Sequence, residues 1–169
     1  MPERSAKQTP TMENTRRAKV TTPSEREMVI ERVFDAPRTL VFEAWTKAEH
    51  VAHWWDPSGA PLAACEIDLR PNGAFRFVND GPEGAKYPFI GFYREIAPPE
   101  RLVIASPGPM SNGESTCTLV FSEQDGKTTL TMTFKCQSEA DRDTLLQMRV
   151  DEGTAVTLEN LDRYLRAIG

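Results

Sequence analysis

Apolar and polar residues alternate along much of the chain, and the period of the alternation changes near both ends. "REMVIERVF", residues 26–34, alternates and is rich in Val, Ile and Phe, so it reads as a strand. "DAPRTLVFEAWTK" then changes to a helical period, with Val41, Phe42 and Trp45 on one face. Asp35 is placed to cap that helix, and Pro37 fits an early helical position where the missing N–H has no intrahelical partner to lose. "AEHVAHWW" continues as a second short helix, stopped by Pro57 and Gly59.

Strand periodicity returns after residue 62. "AACEIDLR" and "AFRFVN" flank Asn72-Gly73, a hairpin signal because both residues tolerate positive φ. Folded on that turn, Cys65, Ile67 and Leu69 share a face with Phe75 and Phe77, while Asp68, Arg70 and Arg76 take the other. "YPFIGFYREI", "RLVIAS", "STCTLVFS" and "TTLTMTFKC" complete the set, the last two joined across "EQDGK". In that last pair Cys117, Leu119, Phe121, Leu130, Met132, Phe134 and Cys136 point one way and mostly Thr and Ser the other. The chain closes with "SEADRDTLLQMRV", capped by Ser138, and "DEGTAVTLENLDRYLRAIG", in which Leu158, Leu161, Leu165 and Ile168 form a helical stripe. Gly153 marks a break or a close approach between the two. One apolar sheet face needs a cover, and the final helix is the element long enough to supply it. The pattern therefore predicts an α+β domain: a curved antiparallel sheet of about six or seven strands wrapped around a long C-terminal helix, with two short helices after the first strand.

Composition narrows the partners. The chain has 169 residues, 39% hydrophobic and 27% charged, which suits one domain with a single core. A net charge of -5 gives no electrostatic footprint for nucleic acid or an anionic membrane. No apolar run approaches the roughly 20 residues that span a bilayer. Residues 1–24 are polar, carry Pro and Thr, and hold Arg4, Lys7, Arg16, Arg17 and Lys19 against Glu3 and Glu13, so a disordered extension is expected before a domain over 25–169. The same stretch lacks the apolar core of a signal peptide. Cys65, Cys117 and Cys136 form no CxxC pair and are odd in number, which points to a reducing, cytoplasmic setting with each thiol a small buried apolar group.

The densest candidate chemistry is "EHVAHWWDPSG", residues 49–59. His50 and His53 are three apart on a short helix, with Asp56 beyond. Zinc takes four ligands, or three and a water, and the cysteines lie far off on strands, so no metal site is expected. Trp54 and Trp55 point about 100° apart, which sends one to the core and the other to a cavity mouth or loop. No GxSxG, HExxH or Cys/His pairing is present. Acid–base candidates are Glu66, Asp68, Glu95, His53 and Tyr93, but alternation puts Asp68 outside with Arg70 and Arg76, where an ion pair is ordinary. Arg32 is the one charge whose face the pattern does not decide. Pointing inward, it needs a carboxylate or a polar ligand headgroup.

"ERVFDAPRTLVFEAWTKAEHVAHWWDP" resembles the N-terminal signature of the heat-shock protein 90 ATPase activator homologue-like family, within the START-like, helix-grip superfamily that includes polyketide cyclase-like domains. Arg32, Phe34, Ala36, Pro37, Val41, Phe42, Ala44, Trp45, Thr46, Trp54, Trp55 and Pro57 carry the resemblance. "DLRPNGAFRF" is similar to a later family segment, with Asn72 where Gly is usual, and so is "GFYREIAPPERLV". "EGTAVTLENLDRYL" resembles the closing helix, with Thr154 where the family commonly has Trp. Asp56 stands where the family often has Gly, and the resemblance calls for no metal at the histidines.

The resemblance implies that the gap between sheet and C-terminal helix holds a small hydrophobic or amphipathic molecule, such as a lipid, with no cofactor. The candidate lining is Val41, Trp45, Trp54, Phe75, Phe77, Phe89, Tyr93, Leu119, Met132, Thr154 and Leu158, with Arg32 as the candidate polar group. Facing inward, Thr154 enlarges the gap. Two other functions are implied. One is activation of a heat-shock chaperone ATPase, although the large eukaryotic activator carries an additional N-terminal domain where this chain has residues 1–24. The other is a cyclase- or hydrolase-like enzyme. Nucleic acid and membrane are not expected partners, and the residues leave the oligomeric state open.

Overall fold

The computed structural model describes residues 18–107 and 113–169. Among them the alternating segments form one curved, open antiparallel sheet of eight strands. In chain order the elements are β1 (Lys19–Ser24), β2 (Glu27–Phe34), α1 (Arg38–Thr46), α2 (Ala48–Trp54), β3 (Ala64–Ile67) and β4 (Ala74–Asp80). A single 3-10 turn over Pro82–Gly84 leads to β5 (Lys86–Ala97), β6 (Arg101–Pro107), β7 (Glu114–Gln124), β8 (Lys127–Lys135), α3 (Glu139–Gln147) and α4 (Val150–Ile168). The strands lie in the order β1-β2-β8-β7-β6-β5-β4-β3, so β1 and β3 are the two edges.

β1 corrects the expectation of a disordered extension through residue 24. It pairs with β2 at Lys19↔Glu31, Val20↔Ile30 and Thr21↔Val29, yet all six of its residues are exposed. Its ladder to β2 defines it, with Arg142 Nη1 donating to the Ser24 carbonyl at 2.7 Å, and Pro23 is tolerated because the strand is an edge. The rest of the expected extension, residues 1–17, lies outside the described residues.

The two tight turns differ in how they use glycine. Between β7 and β8, Asp125 and Gly126 have φ of 54° and 76°, the paired positive values of a two-residue hairpin loop. Before β4, only Asn72 takes positive φ, at 66°. Gly73 is needed there for space, since a Cβ on it would stand 2.1 Å from the Asp68 carbonyl oxygen. The predicted faces follow, with Cys65 opposite Phe77 and Ile67 opposite Phe75. Leu69 departs from them, lying beyond the end of β3 and 42% exposed.

The helix ends differ from the sequence reading in two places. Pro37, rather than Asp35, is the N-cap residue of α1, and the Arg38 N–H donates to Glu123 Oε1 at 2.8 Å, so β7 supplies the acceptor. The break between the last two helices falls at Arg149, in left-handed conformation with φ 59°, while Gly153 is already helical. Ser138 caps α3 as predicted, accepting from the Asp141 N–H. On α4, Leu158, Leu161 and Leu165 are buried against the sheet and the short helices, whereas Ile168 is 41% exposed. The core so formed includes Met28, Ile30 and Phe34 of β2, Phe42 of α1, Leu119 and Phe121 of β7 and Leu130 of β8.

Candidate functional site

Along α4 the side chains facing the sheet change size. Leu158, Leu161 and Leu165 fill the space beneath the second half of the helix, but the first two turns present Gly153, Thr154 and Thr157. The wall opposite those turns is also small: Ser106 on β6 and Ser115, Thr116 and Cys117 on β7. Small residues facing small residues leave a cavity of about 430 Å³. A Cβ built on Gly153 would meet nothing within 4 Å. Met148, 64% exposed, and Arg149, whose side chain is 78% exposed, form its outer end. Its inner wall is apolar, from Trp45, Trp55, Phe89, Ile104, Met132 and Phe134.

Of the predicted lining, the fold gathers Trp45, Phe89, Met132, Thr154 and Leu158 around this space. Phe75, Phe77, Tyr93 and Leu119 lie one layer deeper, where with Trp45 and Trp55 they bound a crevice of about 20 Å³. Val41 and Trp54 are wholly buried elsewhere in the core. The tryptophan at the cavity is therefore Trp55 rather than Trp54. Trp54 lies fully inside α2's buried face and donates its indole N–H to the Ala44 carbonyl at 3.0 Å. The Trp55 ring meets Phe77 at 4.8 Å and Phe89 at 5.6 Å.

Sequence reading also missed Phe134 and Cys117, which pair across β7 and β8, and Val150, Gly153 and Thr157 on α4. Their signals were present. Phe134 is two residues beyond Met132 on the same strand face, and Gly153 and Thr157 are a helical turn from Thr157 and Thr154 respectively. Asn79, Pro57 and Arg149 carried no such signal.

Arg32 does not face the cavity. It lies on the inner face of β2, 2% exposed, and reaches α4, where Nη1 donates to Glu159 Oε2 at 2.9 Å and Nη2 stands 3.6 Å from Asp162 Oδ2. Of the two partners weighed for an inward arginine, the carboxylate is the one present. Glu159 is half exposed and Asp162 is shared with Arg166 at 3.0 Å, so each charge in the cluster has a partner.

Asp56 holds the turn that carries Trp55 and Pro57. Its Oδ1 accepts from the Ser58 N–H at 2.8 Å and the Ser58 hydroxyl at 2.7 Å, and its Oδ2 accepts from Asn79 Nδ2 at 2.9 Å. Its carbonyl oxygen accepts from Asn160 Nδ2 on α4 at 2.9 Å. Burial pushes the carboxyl upward, but the hydrogen bonds from Asn79 and Ser58 outweigh it, and the group is held below its ordinary value. The Thr157 hydroxyl donates back into α4, to the Gly153 carbonyl at 2.9 Å, with the Trp55 carbonyl farther off at 3.4 Å.

The histidines serve packing. His50 Nδ1 shares a hydrogen bond with the Tyr164 hydroxyl, and His53 stacks on the Tyr164 ring with centroids 5.6 Å apart. Among the described residues no three His, Cys, Asp or Glu converge as a metal-binding group. The acid–base candidates lie outside the lining. Glu66, Asp68 and Glu95 face Arg76, Arg70 and Arg101 on the surface, and Tyr93 is buried in the deeper layer. Among the described residues Cys117 and Arg149 are the titratable side chains on the cavity wall, and burial pushes the Cys117 thiol well up. Among the described residues no helix is long and apolar enough to cross a membrane.

A curved, open antiparallel sheet folded about a C-terminal helix is the helix-grip fold. The chain belongs to the family described as Activator of Hsp90 ATPase homolog 1-like protein, whose pattern matches residues 35–166. A Mycobacterium smegmatis protein of solved structure shares 25% identity, with 89% of this chain and 98% of that one aligned at a TM-score of 0.77. A Rhodobacter sphaeroides protein at 24% identity covers 90% of this chain and 99% of its own at 0.81. One from Nitrosomonas europaea, also at 24%, covers 85% and 96% at 0.76. Likeness at these identities establishes a shared fold. Among curated proteins none matches the chain.

Proposed function

We propose that the protein binds a small hydrophobic or amphipathic molecule between the sheet and the first turns of α4. The observation that carries this reading is the apolar cavity of about 430 Å³, a size within the range of small-molecule sites. Its wall is mostly aromatic and aliphatic, and the polar groups at its outer end, including Arg149, suit a molecule with one polar end. The lining holds no carboxylate or histidine among the described residues, which favours binding over acid–base chemistry.

Thr154→Trp tests the reading. It places an indole in the space and should weaken a neutral fluorescent probe, N-phenyl-1-naphthylamine, by about tenfold or more, because the apolar area the probe buries at about 25 cal/mol per Å² is then occupied. Native mass spectrometry of freshly purified protein reads the same property without a probe. Unchanged probe affinity in the variant, or no bound species together with silence across a lipid panel, would sink the proposal.

The family description supports a second reading, a co-chaperone that stimulates a heat-shock chaperone's ATPase. Stimulation of a purified chaperone with no small molecule present, undiminished in Thr154→Trp, would favour it.

A further inference from the structure

Arg149 joins α3 to α4, and its backbone is left-handed, with φ 59° and ψ 38°. The Met148 and Arg149 N–H groups donate back to the Thr144 and Leu146 carbonyls at 2.9 and 3.0 Å, which closes the end of α3. Glycine is the usual residue at such a helix end, because a Cβ is costly in the left-handed region. Glycine would make the same elbow more easily, so the elbow does not account for an arginine. Its ion pair does not account for it either. The guanidinium stands 3.7 Å from Glu152 Oε2, beyond hydrogen-bond distance, and the two side chains are 78% and 66% exposed. A pair so open to water contributes little.

The place of the side chain gives it a use. Arg149 forms the outer end of the cavity, and among the described residues it is the one formally charged side chain on the cavity wall, in a chain whose net charge is -5. Resting on the ligand-binding reading above, we propose that the ligand is an anionic amphiphile, an alkyl or aryl carboxylate, whose head group pairs with the Arg149 guanidinium while its apolar body lies against Trp45, Trp55 and Phe89. A guanidinium offers a carboxylate two parallel N–H donors, and Arg149 can turn to one without breaking a close hydrogen bond. The exposed end leaves the head group partly hydrated, so seating the body does not require burying the charge. Arg149 is then a specificity-determining residue. The apolar wall sorts molecules by shape and area, and Arg149 adds a preference for an anion over a neutral molecule with the same body. The competing account is a solvated surface cation that touches no ligand. It predicts that removing the arginine changes the affinity for both kinds of molecule alike or not at all.

Decanoate and decanol separate these accounts, since they share a chain length and differ in the charge of the head. Displacement of N-phenyl-1-naphthylamine fluorescence gives the Kd of each in the wild-type protein, Arg149→Gln and Arg149→Gly. In about 20 mM salt the affinity of decanoate relative to decanol should fall about three- to tenfold in both variants, with decanol itself moving by less than about twofold. In the wild type the relative affinity for decanoate should also fall as salt is raised to about 0.5 M, because the pair is exposed. Arg149→Gly relieves the left-handed elbow, so its urea midpoint should be no lower than that of the wild type, and its lost preference cannot then be lost folding. A decanoate-to-decanol ratio unchanged in both variants, or a wild-type ratio indifferent to salt, overturns the assignment of Arg149 and leaves the cavity reading standing. No binding of N-phenyl-1-naphthylamine, decanol or decanoate overturns both.

Discussion

Replacing Asp56 by alanine removes the acceptor on which the turn after α2 is built. Three donors lose their partner: the Ser58 N–H, the Ser58 hydroxyl and Asn79 Nδ2. Ser58 is exposed, so water takes over its two bonds at a cost of about 1 kcal/mol. Asn79 is half-buried and loses a bond to a charged acceptor, worth about 1.5–3 kcal/mol. The Asp56 carbonyl still accepts from Asn160, so the turn stays attached to α4 and the domain should remain folded. The expected loss is about 2–4 kcal/mol, or a fall in Tm of about 5–15 °C for a chain of this size. Asp56→Asn should recover part of it, since one amide oxygen serves Ser58 while the NH2 meets another donor at Asn79.

Acid supplies the control. The carboxyl of Asp56 is held below its ordinary value in the folded protein, so its stabilisation is fully present above the unfolded-state value near 3.8 and is lost as pH falls through the lower folded value. Urea unfolding followed by tryptophan fluorescence should therefore show a gap between wild type and Asp56→Ala that is full at neutral pH and closes in acid. A gap under about 0.5 kcal/mol at pH 7, the scatter of ordinary surface substitutions, or one that stays constant into acid would refute the account.

Two further perturbations probe the sheet. A Cβ on Gly91 would stand 2.4 Å from Phe75 Cζ and 2.7 Å from the Ala105 carbonyl oxygen, so Gly91→Ala should overpack the core and cost about 1–3 kcal/mol, and an unshifted urea midpoint would count against it. Burial first, and then the charge of Glu66, push the Cys65 thiol up to about 11. Its alkylation at pH 7 should be slower than that of a free cysteine by more than about 100-fold, rising about tenfold per pH unit, and fast labelling of the folded protein at neutral pH would contradict this.

Periodicity found the elements that bury a face and passed over the one that does not. β2 and β8 were legible because Met28, Ile30, Leu130 and Met132 alternate with polar residues, whereas β1 buries nothing and exists through its ladder to β2. The cavity was legible as a place and less so as a list. Thr154, Leu158 and Met132 belong to faces whose direction the sequence pattern sets. The choice between Trp54 and Trp55 depends on how α2 is rolled against α1, which two adjacent indoles do not reveal. Asp56 carried half of its explanation locally, since Ser58 two residues on is the partner of an Asx turn. Its other partners, Asn79 and Asn160, lie 23 and 104 residues away. Arg32 was undecidable for the same reason, with its acceptor on Glu159 lying 127 residues along the chain.

These distant contacts divide α4 into two halves with different duties. From Leu158 onward the helix is fixed three ways: by its leucines in the core, by Arg32 reaching Glu159 and Asp162, and by Tyr164 against the two histidines. Before Leu158 it carries Gly153, Thr154 and Thr157 over open space and enters from the left-handed elbow at Arg149. The hydrogen bond from Asn160 to the Asp56 carbonyl ties the helix to the Trp55–Asp56 turn near the boundary between the halves. Leu158 serves both halves, but the other anchoring groups lie beyond those that bound the cavity, so the size of the space can change with residues 153 and 154 at little cost to the anchor. That separation is why a bulky residue at position 154 is expected to alter what the cavity holds before it alters whether the chain folds.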